Sequence, residues 1–401
     1  MPGSSLRALL LFLLALAFTV AMVRPPLMRR VALYLVEKNL DVRLKTVTAV
    51  PHGLLEGMHL HNLEVCCSRA PDSSPSLFTA GKLKVESGML GAMLHPARPD
   101  SIGCEGFTLR LDFDQAGKLL TFLPKVEAPT AHRPVIRLDD WELLLLQRGR
   151  QPFKIRGKDC LLVPQTQGYT FQTRFSDGRF GTWTVQGSME GSPARLRLTL
   201  TSDRARLEPA HLPEIPFIPR EVWDQVNLRG TGNVRLDLDI SPDRTRHHLV
   251  LEGTDLDIQV PIAGIKANGV SGCAEVNGRV VKLTGLQGNA WGGRLALTES
   301  RLDFDKPFPE LTFRVKGEDL RLADLVSQPW AKGAGGLTRM ATLLRGSASG
   351  QLAMLFTLTR PSPIVQIQGG GEAGIRGGPQ VPWVVKTEGG HVRFEPVFKP
   401  K

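Results

Sequence analysis

Among residues with chemically active side chains, aspartate is the one that recurs within a repeated sequence motif of this chain. Three segments share a G-x-D core that begins at Gly157, Gly253 and Gly317, and these glycines lie 96 and 64 residues apart, both multiples of 32. Glycine adopts left-handed turn conformations and aspartate bonds to its own loop backbone, so the motif predicts a junction between two strands. The repetition predicts a sheet built from similar pieces. The three aspartates, interpreted as turn residues rather than catalytic acids, are Asp159, Asp255 and Asp319.

Cysteine is the second residue type with chemical potential. The chain has five, with no C-x-x-C pair and no histidine at ligand spacing. Cys66 and Cys67 are adjacent, so they point to opposite faces of a strand and a bridge between them is strained. A bridge between Cys67 and Cys104 in an oxidising compartment and buried free thiols remain alternatives. The others are Cys160 and Cys273.

Histidine and the common catalytic signatures indicate no enzyme. His247 and His248 are neighbours in a predicted strand, so their side chains point in opposite directions and do not share a metal ion. The chain has no G-x-S-x-G, no H-E-x-x-H and no histidine beside a cysteine. We therefore predict no catalytic residue, no metal site and no cofactor.

Composition excludes a disordered chain and favours strands. Of 401 residues, 42% are apolar, and 41 glycines and 29 prolines fit many short strands separated by turns. The net charge of +11 favours anionic partners such as phospholipid head groups, although arginines spread over solvated strand faces also explain it. Nucleic acid is not expected, because no basic block contains interleaved aromatic residues.

Alternation of apolar and polar residues predicts the elements. The clearest stretch runs from Val276 to Asp305, where two alternating segments flank a turn around Trp291. Similar alternation predicts strands at Gly106 to Asp114, Ala194 to Leu200 and Val234 to Ile240, and a strand pair at Val135 to Arg150. One face of such strands is apolar and the other polar, as in antiparallel sheets.

The first 40 residues predict a membrane anchor. Ala8 to Val23 is apolar except for Thr19 and forms about 24 Å of helix, slightly short for a bilayer. Leu27 to Leu40 follows as an amphipathic helix, which favours a retained span over a cleaved signal peptide. The anchor residues are Leu9, Leu10, Leu11, Phe12, Leu13, Leu14 and Phe18.

Two stretches resemble AsmA-like proteins of the bacterial envelope. Directly after the predicted anchor, Gly57 to Val65 reads GMHLHNLEV, with the glycine and leucine spacing of the start of these proteins. Near the other end, a G-x-x-x-G-x-L strand and a final G-G-x-x-R-F strand resemble the C-terminal region of the YdbH-like members. The matching positions are Gly346, Gly350, Leu352, Gly389, Gly390, Arg393 and Phe394.

The resemblance implies a fold and a function. This superfamily is the bridge-like lipid transfer class, in which an anchored, groove-like sheet carries phospholipid. The expected fold is mainly β: an N-terminal transmembrane helix, then a long, curved, repeat-built antiparallel sheet with a few short helices. The expected location is the inner membrane, with a single N-terminal span and the bulk in the periplasm.

The domain division follows from composition. Residues 1–40 form the anchor and amphipathic helix, 41–210 a first β-rich part, and 224–401 a second. Residues 211–223 contain three prolines and are expected to form a linker or crossover. Leu320 to Val326 predicts a helical turn before Pro329, and Leu337 to Leu344 a further helix.

Two functions remain open from the sequence. The first is binding or conduction of phospholipid acyl chains along an apolar groove, for intermembrane lipid transfer or outer-membrane lipid homeostasis. The second is a non-enzymatic structural or assembly role that depends on other envelope proteins. The expected partners are phospholipids, the inner membrane and such proteins. The candidate groove residues are Leu109, Leu111, Phe113, Leu236, Leu238, Leu283, Leu295, Leu297, Leu302 and Phe304.

Overall fold

A computed structural model describes most of the chain from Val42 onward. The described residues are 42–45, 48–51, 58–67, 70–71, 74–86, 101–123, 133–191, 195–218, 220–328, 346–358, 364–375, 380–388 and 391–397. The predicted anchor, the amphipathic helix after it and the predicted helix from Leu337 to Leu344 lie outside these residues. Within them, every helix is too short or too polar to cross a bilayer.

The described residues are mainly β, as predicted, with two short α-helices: α1 (Arg220–Gln225) and α2 (Leu322–Val326). The second confirms the helical turn expected before Pro329. The strands are β1 (Val42–Leu44), β2 (Thr48–Pro51), β3 (Met58–Cys67), β4 (Phe78–Glu86), β5 (Ser101–Phe113), β6 (Val135–Gln147), β7 (Phe153–Gln165), β8 (Gly168–Asp177), β9 (Gly181–Glu190), β10 (Arg195–Leu207), β11 (Asn227–Ile240), β12 (Thr245–Val260), β13 (Ile265–Asn277), β14 (Val280–Ala290), β15 (Gly293–Asp303), β16 (Glu310–Arg321), β17 (Gly346–Thr357), β18 (Ile364–Ile375), β19 (Gln380–Glu388) and β20 (His391–Pro396).

The chain divides into two compact units. Unit 1 comprises Met1–Ser176, Thr184–Leu198 and Asp239–Thr245, and unit 2 comprises Asp177–Trp183, Thr199–Leu238 and Arg246–Lys401. The proline-rich stretch expected to be a linker, residues 211–223, lies inside unit 2. There it forms a 3₁₀ turn at Leu212–Glu214 and enters α1. Four of its apolar side chains are buried: Leu212, Phe217, Ile218 and Val222.

Unit 1 contains one parallel pair of strands, which corrects the prediction of a wholly antiparallel sheet. The pairs β3–β4, β4–β5, β6–β7 and β7–β8 are antiparallel, whereas β5 and β6 run parallel with Leu111 opposite Leu145. A parallel pair needs a long crossover connection, and the chain from Asp114 to Pro134 supplies it. The segment predicted to be a strand pair, Val135 to Arg150, is mostly the single strand β6.

Unit 2 is an antiparallel succession in which each strand from β12 to β20 pairs with the next along the chain. The predicted hairpin is confirmed as β14 and β15, joined by Trp291 and Gly292. Both turn residues have positive φ, 51° and 75°, the backbone that suits the right-handed twist of a two-residue hairpin. Trp291 is buried, and its Nε1 donates to Gly264 O at 3.3 Å, which holds it in this conformation.

The G-x-D motifs lie inside strands, so the predicted strand-to-strand junctions are wrong. In β12 and β16 the pairing shifts register directly after Gly253 and Gly317, as at a β-bulge. The extra residue of the bulge places the glycine and the residue three positions later on the same face of the strand. There Leu256 packs over Gly253, and Leu320 packs over Gly317. A Cβ added at Gly253 or Gly317 would lie 2.1 or 2.3 Å from the Cδ1 of that leucine. The motif therefore makes room for a buried leucine.

The third motif uses its glycine in a similar way. Gly157 in β7 precedes a register shift, and an added Cβ there would lie 2.4 Å from the Trp141 ring on β6. Trp141 packs edge-to-face against Phe175 with ring centroids 6.5 Å apart. The aspartates of all three motifs are exposed, which agrees with a structural role for the repeat.

Candidate functional site

The predicted groove residues are mostly covered. Leu111, Phe113, Leu236, Leu238, Leu295, Leu302 and Phe304 are buried, and Leu109, Leu283 and Leu297 are half-buried. None of the ten is exposed. At the seven buried positions the apolar face is therefore closed to solvent. Three of them lie in β5 of unit 1, and one of those three, Phe113, reaches a cavity.

This cavity lies wholly within unit 1 and has a volume of about 510 Å³. Its walls come from the end of β3, the loop before β4, the end of β5 with the loop after it, and the turn between β6 and β7. The lining residues are Cys67, Ala70, Ser74, Pro75, Ser76, Leu77, Arg110, Asp112, Phe113, Leu120, Thr121, Phe122, Leu146, Gln147, Arg148, Gly149 and Arg150.

The parallel pair explains why these segments meet. Because β5 and β6 run in the same direction, their carboxyl ends lie at the same edge of the sheet. The crossover loop therefore begins beside the β6–β7 turn. The backbone N–H of Arg148 donates to the carbonyl of Phe113 at 3.1 Å, which joins the two strand ends directly.

The start of the crossover loop folds back over β5. The Leu120 N–H donates to the Asp112 carbonyl at 2.7 Å, and the Thr121 hydroxyl accepts from the Asp112 N–H at 2.7 Å. Leu119 is buried beside Phe113 and forms a bridge with it. This local hairpin fixes one wall of the cavity. The side chains of Leu120 and Phe122 on this wall are 39% and 48% exposed to solvent.

The opposite wall is fixed by backbone hydrogen bonds that extend the β4 ladder. Leu77 N–H donates to Val65 O at 2.7 Å, and Arg110 N–H donates to Leu77 O at 2.8 Å. Ser76 Oγ donates to Glu64 Oε2 at 3.2 Å. These bonds hold the loop between β3 and β5, with Leu77 buried at the cavity wall.

The polar part of the cavity contains several charged side chains. Among the described residues, the lining includes three arginines, Arg110, Arg148 and Arg150, and the carboxylate of Asp112. Asp112 is paired with Arg110, whose Nε lies 3.1 Å from Asp112 Oδ1. Gln147 is buried and donates from Nε2 to Gln115 O at 3.0 Å. The described lining therefore combines guanidinium groups with apolar walls and suits a ligand with an anionic group and an apolar part.

The thiols lie apart from this chemistry. All five cysteines are free, so the alternative of a Cys67–Cys104 bridge is not the one found. Cys67 lines the cavity but is only 2% exposed. Burial raises the pKa of the Cys104 thiol to about 12 and that of Cys160 to about 11, which keeps both protonated and unreactive at neutral pH.

The two histidines make ordinary contacts on a strand of unit 2. His248 Nε2 lies 2.8 Å from Glu275 Oε1, and His247 stacks on Phe217 with ring centroids 5.8 Å apart. No group of three or more histidine, cysteine or acidic side chains within the described ranges is placed to hold a metal ion.

Most of the cavity residues were not predicted. The strand alternation identified Phe113, but the arginines and the loop residues Leu120 and Phe122 were missed. Two signals were present: the RGR sequence after β6, and the LLTFL run at residues 119–123, shortly after β5. Neither shows from the sequence alone that the two segments adjoin, because this depends on the parallel pairing.

Comparison of the chain with protein-family models, curated proteins and solved structures finds no match.

Proposed function

We propose that this chain is a membrane-anchored envelope protein that binds phospholipid, with the cavity of unit 1 as the binding site. The observation that carries the proposal is the amphipathic lining of this cavity, where three arginines lie beside Phe113, Leu120 and Phe122. The apolar run from Ala8 to Val23 supports the anchor.

The size and the rim of the cavity are consistent with a lipid ligand. A volume of about 510 Å³ lies within the range of small-molecule pockets, and it suits a head group with the first part of its acyl chains. The exposed side chains of Leu120 and Phe122 then provide apolar contact for the remainder. Exposed hydrophobic residues beside a pocket are typical of ligand-binding surfaces.

Between binding and conduction, the burial in unit 2 favours binding. Leu236, Leu238, Leu295, Leu302 and Phe304, which were expected to form a conduit wall, are all buried. An acyl chain moving along them would have to displace packed side chains. The proposal therefore places the lipid at the strand ends of unit 1 and not along the apolar face of unit 2.

A photo-crosslinking experiment tests the proposal on the full chain. The photoreactive amino acid p-benzoylphenylalanine replaces Phe122 in one variant and Phe308, 57% exposed in unit 2, in a matched control. Each variant is irradiated in cells, purified and examined by mass spectrometry for attached lipid. We expect phospholipid adducts at position 122 and few at position 308.

The same experiment separates the alternatives. Equal lipid labelling at positions 122 and 308 would mean that the cavity has no special affinity for lipid, and the proposal would fail. Attachment of another envelope protein at position 122, without lipid, would instead favour the structural or assembly role.

A further inference from the structure

We propose that the rim of the unit 1 cavity docks on the surface of a phospholipid bilayer. The contact is made by three residues of the crossover loop, Lys118, Leu120 and Phe122, which we call the rim stripe. This docking rests on the proposed function, because it places the mouth of the lipid-binding cavity against the bilayer that supplies the lipid.

Exposure to solvent alternates along the start of the crossover loop. Lys118, Leu120 and Phe122 are exposed, whereas Leu119 is buried and Thr121 is half-buried. Successive side chains of an extended segment point to opposite sides, so the three exposed residues share one side. The loop therefore presents a basic, an aliphatic and an aromatic side chain together to solvent.

The backbone that carries the rim stripe is fixed by hydrogen bonds to the end of β5 and to the turn after it. Leu120 N–H donates to Asp112 O, and Asp112 N–H donates to Thr121 Oγ, both at 2.7 Å. Lys118 N–H donates to Asp114 Oδ1 at 2.8 Å, and Asp114 N–H donates to Lys118 O at 2.9 Å. Because the loop is already ordered, contact with a surface costs little further backbone entropy.

The side chains of the rim stripe match the interface of a phospholipid bilayer. Leu120 and Phe122 enter the acyl region, while Lys118 lays its aliphatic stem along apolar surface and keeps its ammonium group among the phosphates. Arg148, on the β6–β7 turn that lines the same cavity, is also exposed and suits bidentate hydrogen bonds to phosphate oxygens. A bilayer surface offers phosphates and acyl chains side by side, which favours it over a purely apolar partner.

The position of the stripe connects docking with the cavity. Leu120 and Phe122 line the cavity as well as facing solvent, so their contact with acyl chains brings the cavity mouth to the bilayer. Two apolar side chains give only a weak attachment, and stable binding needs a second one. The anchor proposed for Ala8 to Val23 supplies it, because it keeps the bilayer at a high local concentration.

The test uses the full chain reconstituted in vesicles of phosphatidylcholine and phosphatidylglycerol. A fluorescent amino acid replaces Phe122 in one protein and Leu161 in a matched control, and quenching by lipids with brominated acyl chains reports contact with the bilayer. Leu161 is 42% exposed on β7 of the same unit and does not line the cavity.

A second comparison separates docking from a lipid held in the cavity. Lys118→Gln changes the stripe outside the cavity lining, and Lys158→Gln changes an exposed lysine of β7 that is also outside it. Both positions are exposed, so both variants are expected to fold. Native mass spectrometry in detergent counts the lipid bound to each protein.

We expect strong quenching at position 122 and little at position 161. In Lys118→Gln the ratio of docked to undocked protein falls about fivefold, the contribution of one basic side chain near an anionic bilayer. Lys158→Gln keeps the parent quenching, and all variants keep the parent's bound lipid in detergent.

Equal quenching at positions 122 and 161 overturns bilayer docking while lipid binding stands, and it is also the result expected if the stripe binds a protein instead. Quenching at position 122 that Lys118→Gln leaves unchanged would come from a lipid held in the cavity, and it overturns docking too. The absence of bound lipid from the parent in detergent contradicts the proposed function itself.

Discussion

Unit 1 and unit 2 contain the same kind of alternating strand but fill the space beside their strands differently. In unit 1 the cavity at the ends of β5 and β6 has a volume of about 510 Å³, whereas a cavity beside Gly317 in unit 2 has only about 10 Å³. In unit 2 each strand pairs with the next along the chain, and leucines pack over the bulge glycines. In unit 1 the parallel pair brings the carboxyl ends of β5 and β6, and the loops that follow them, to one edge of the sheet. The comparison teaches that connectivity matters in addition to strand composition, because the parallel pair is what brings the segments that line this cavity together.

The largest expected effect tests whether unit 2 is closed. Leu302 is 1% exposed, so Leu302→Asp buries an unpaired charge, which costs several kcal/mol and is expected to unfold unit 2. Leu302→Ala is expected to lower the free energy of unfolding by about 2–5 kcal/mol. Hydrogen exchange measured by mass spectrometry on peptides of unit 2 reports both effects.

Phe122→Asp is the matched change in unit 1. Because Phe122 is 48% exposed, its carboxylate stays hydrated and the exchange of unit 1 peptides is expected to stay unchanged. Retained protection of unit 2 in Leu302→Asp would mean that this residue faces a solvated groove, and the contrast between the two units would disappear.

The second prediction concerns the bulge glycines. Gly317→Ala places a Cβ 2.3 Å from Leu320 Cδ1, so the leucine must move, and we expect a loss of about 1–3 kcal/mol in the free energy of unfolding. Urea titration of the full chain measures this loss. Gly178→Ala, also in unit 2, is the control, because an added Cβ there meets nothing within 4 Å.

A double variant sharpens the test of the bulge. Leu320→Ala removes the side chain that the new Cβ would meet, so the combined destabilisation of Gly317→Ala with Leu320→Ala is expected to be less than the sum of the two separate losses. Additive losses would show that Gly317 is needed for its backbone alone and not for the packing of Leu320.

The smallest expected effect concerns a charged group of unit 2. Arg179 Nη2 lies 2.8 Å from Asp177 Oδ2, and Arg179 also contacts Glu214. Burial alone would raise the pKa of Asp177, but the hydrogen bonds and charge of Arg179 outweigh it, and the pKa lies below its ordinary value. Arg179→Met is expected to lower the free energy of unfolding at neutral pH by about 1–2 kcal/mol, since the groups are partly exposed.

The pH dependence follows from the lowered pKa of Asp177. Its stabilising contribution is complete above the unfolded pKa of about 3.9 and is lost as the pH falls through the lower folded pKa. The difference between the parent and Arg179→Met is therefore expected to shrink below about pH 4. Urea titrations at several pH values, followed by tryptophan fluorescence, measure it. A difference that stays constant into acid would assign the effect to packing of the arginine side chain.

Local alternation predicted much of this fold, because it depends on near neighbours in the chain. The turn at Trp291, the strands around Leu198 and Leu236, and the helical turn before Pro329 all follow from short-range pattern. The bulges were misassigned, because glycine and aspartate favour a turn and a bulge for the same conformational reasons. Burial of Leu256 and Leu320 over the glycines distinguishes the two, and it is visible only in three dimensions.

The candidate site was harder to predict, because it depends on contacts that are distant in sequence. Phe113 and Arg148 adjoin only because β5 and β6 run parallel, and a connection as long as Asp114 to Pro134 permits either direction of β6. Arg148 also has no local pattern that distinguishes it from arginines on solvated strand faces. Its significance comes from the lining residues that the turn brings together.

The most direct test of the account measures bound lipid when the apolar rim of the cavity is made polar. Full-length chain, purified in mild detergent, is analysed by native mass spectrometry as the parent, as Leu120→Asp with Phe122→Asp, and as Phe308→Asp with Ile364→Asp. The last pair replaces two exposed residues of unit 2, 57% and 54% exposed, and keeps the same N-terminal segment. We expect a phospholipid on the parent and on the unit 2 variant, and its loss from the unit 1 variant. Equal lipid on all three proteins would contradict a binding site in unit 1.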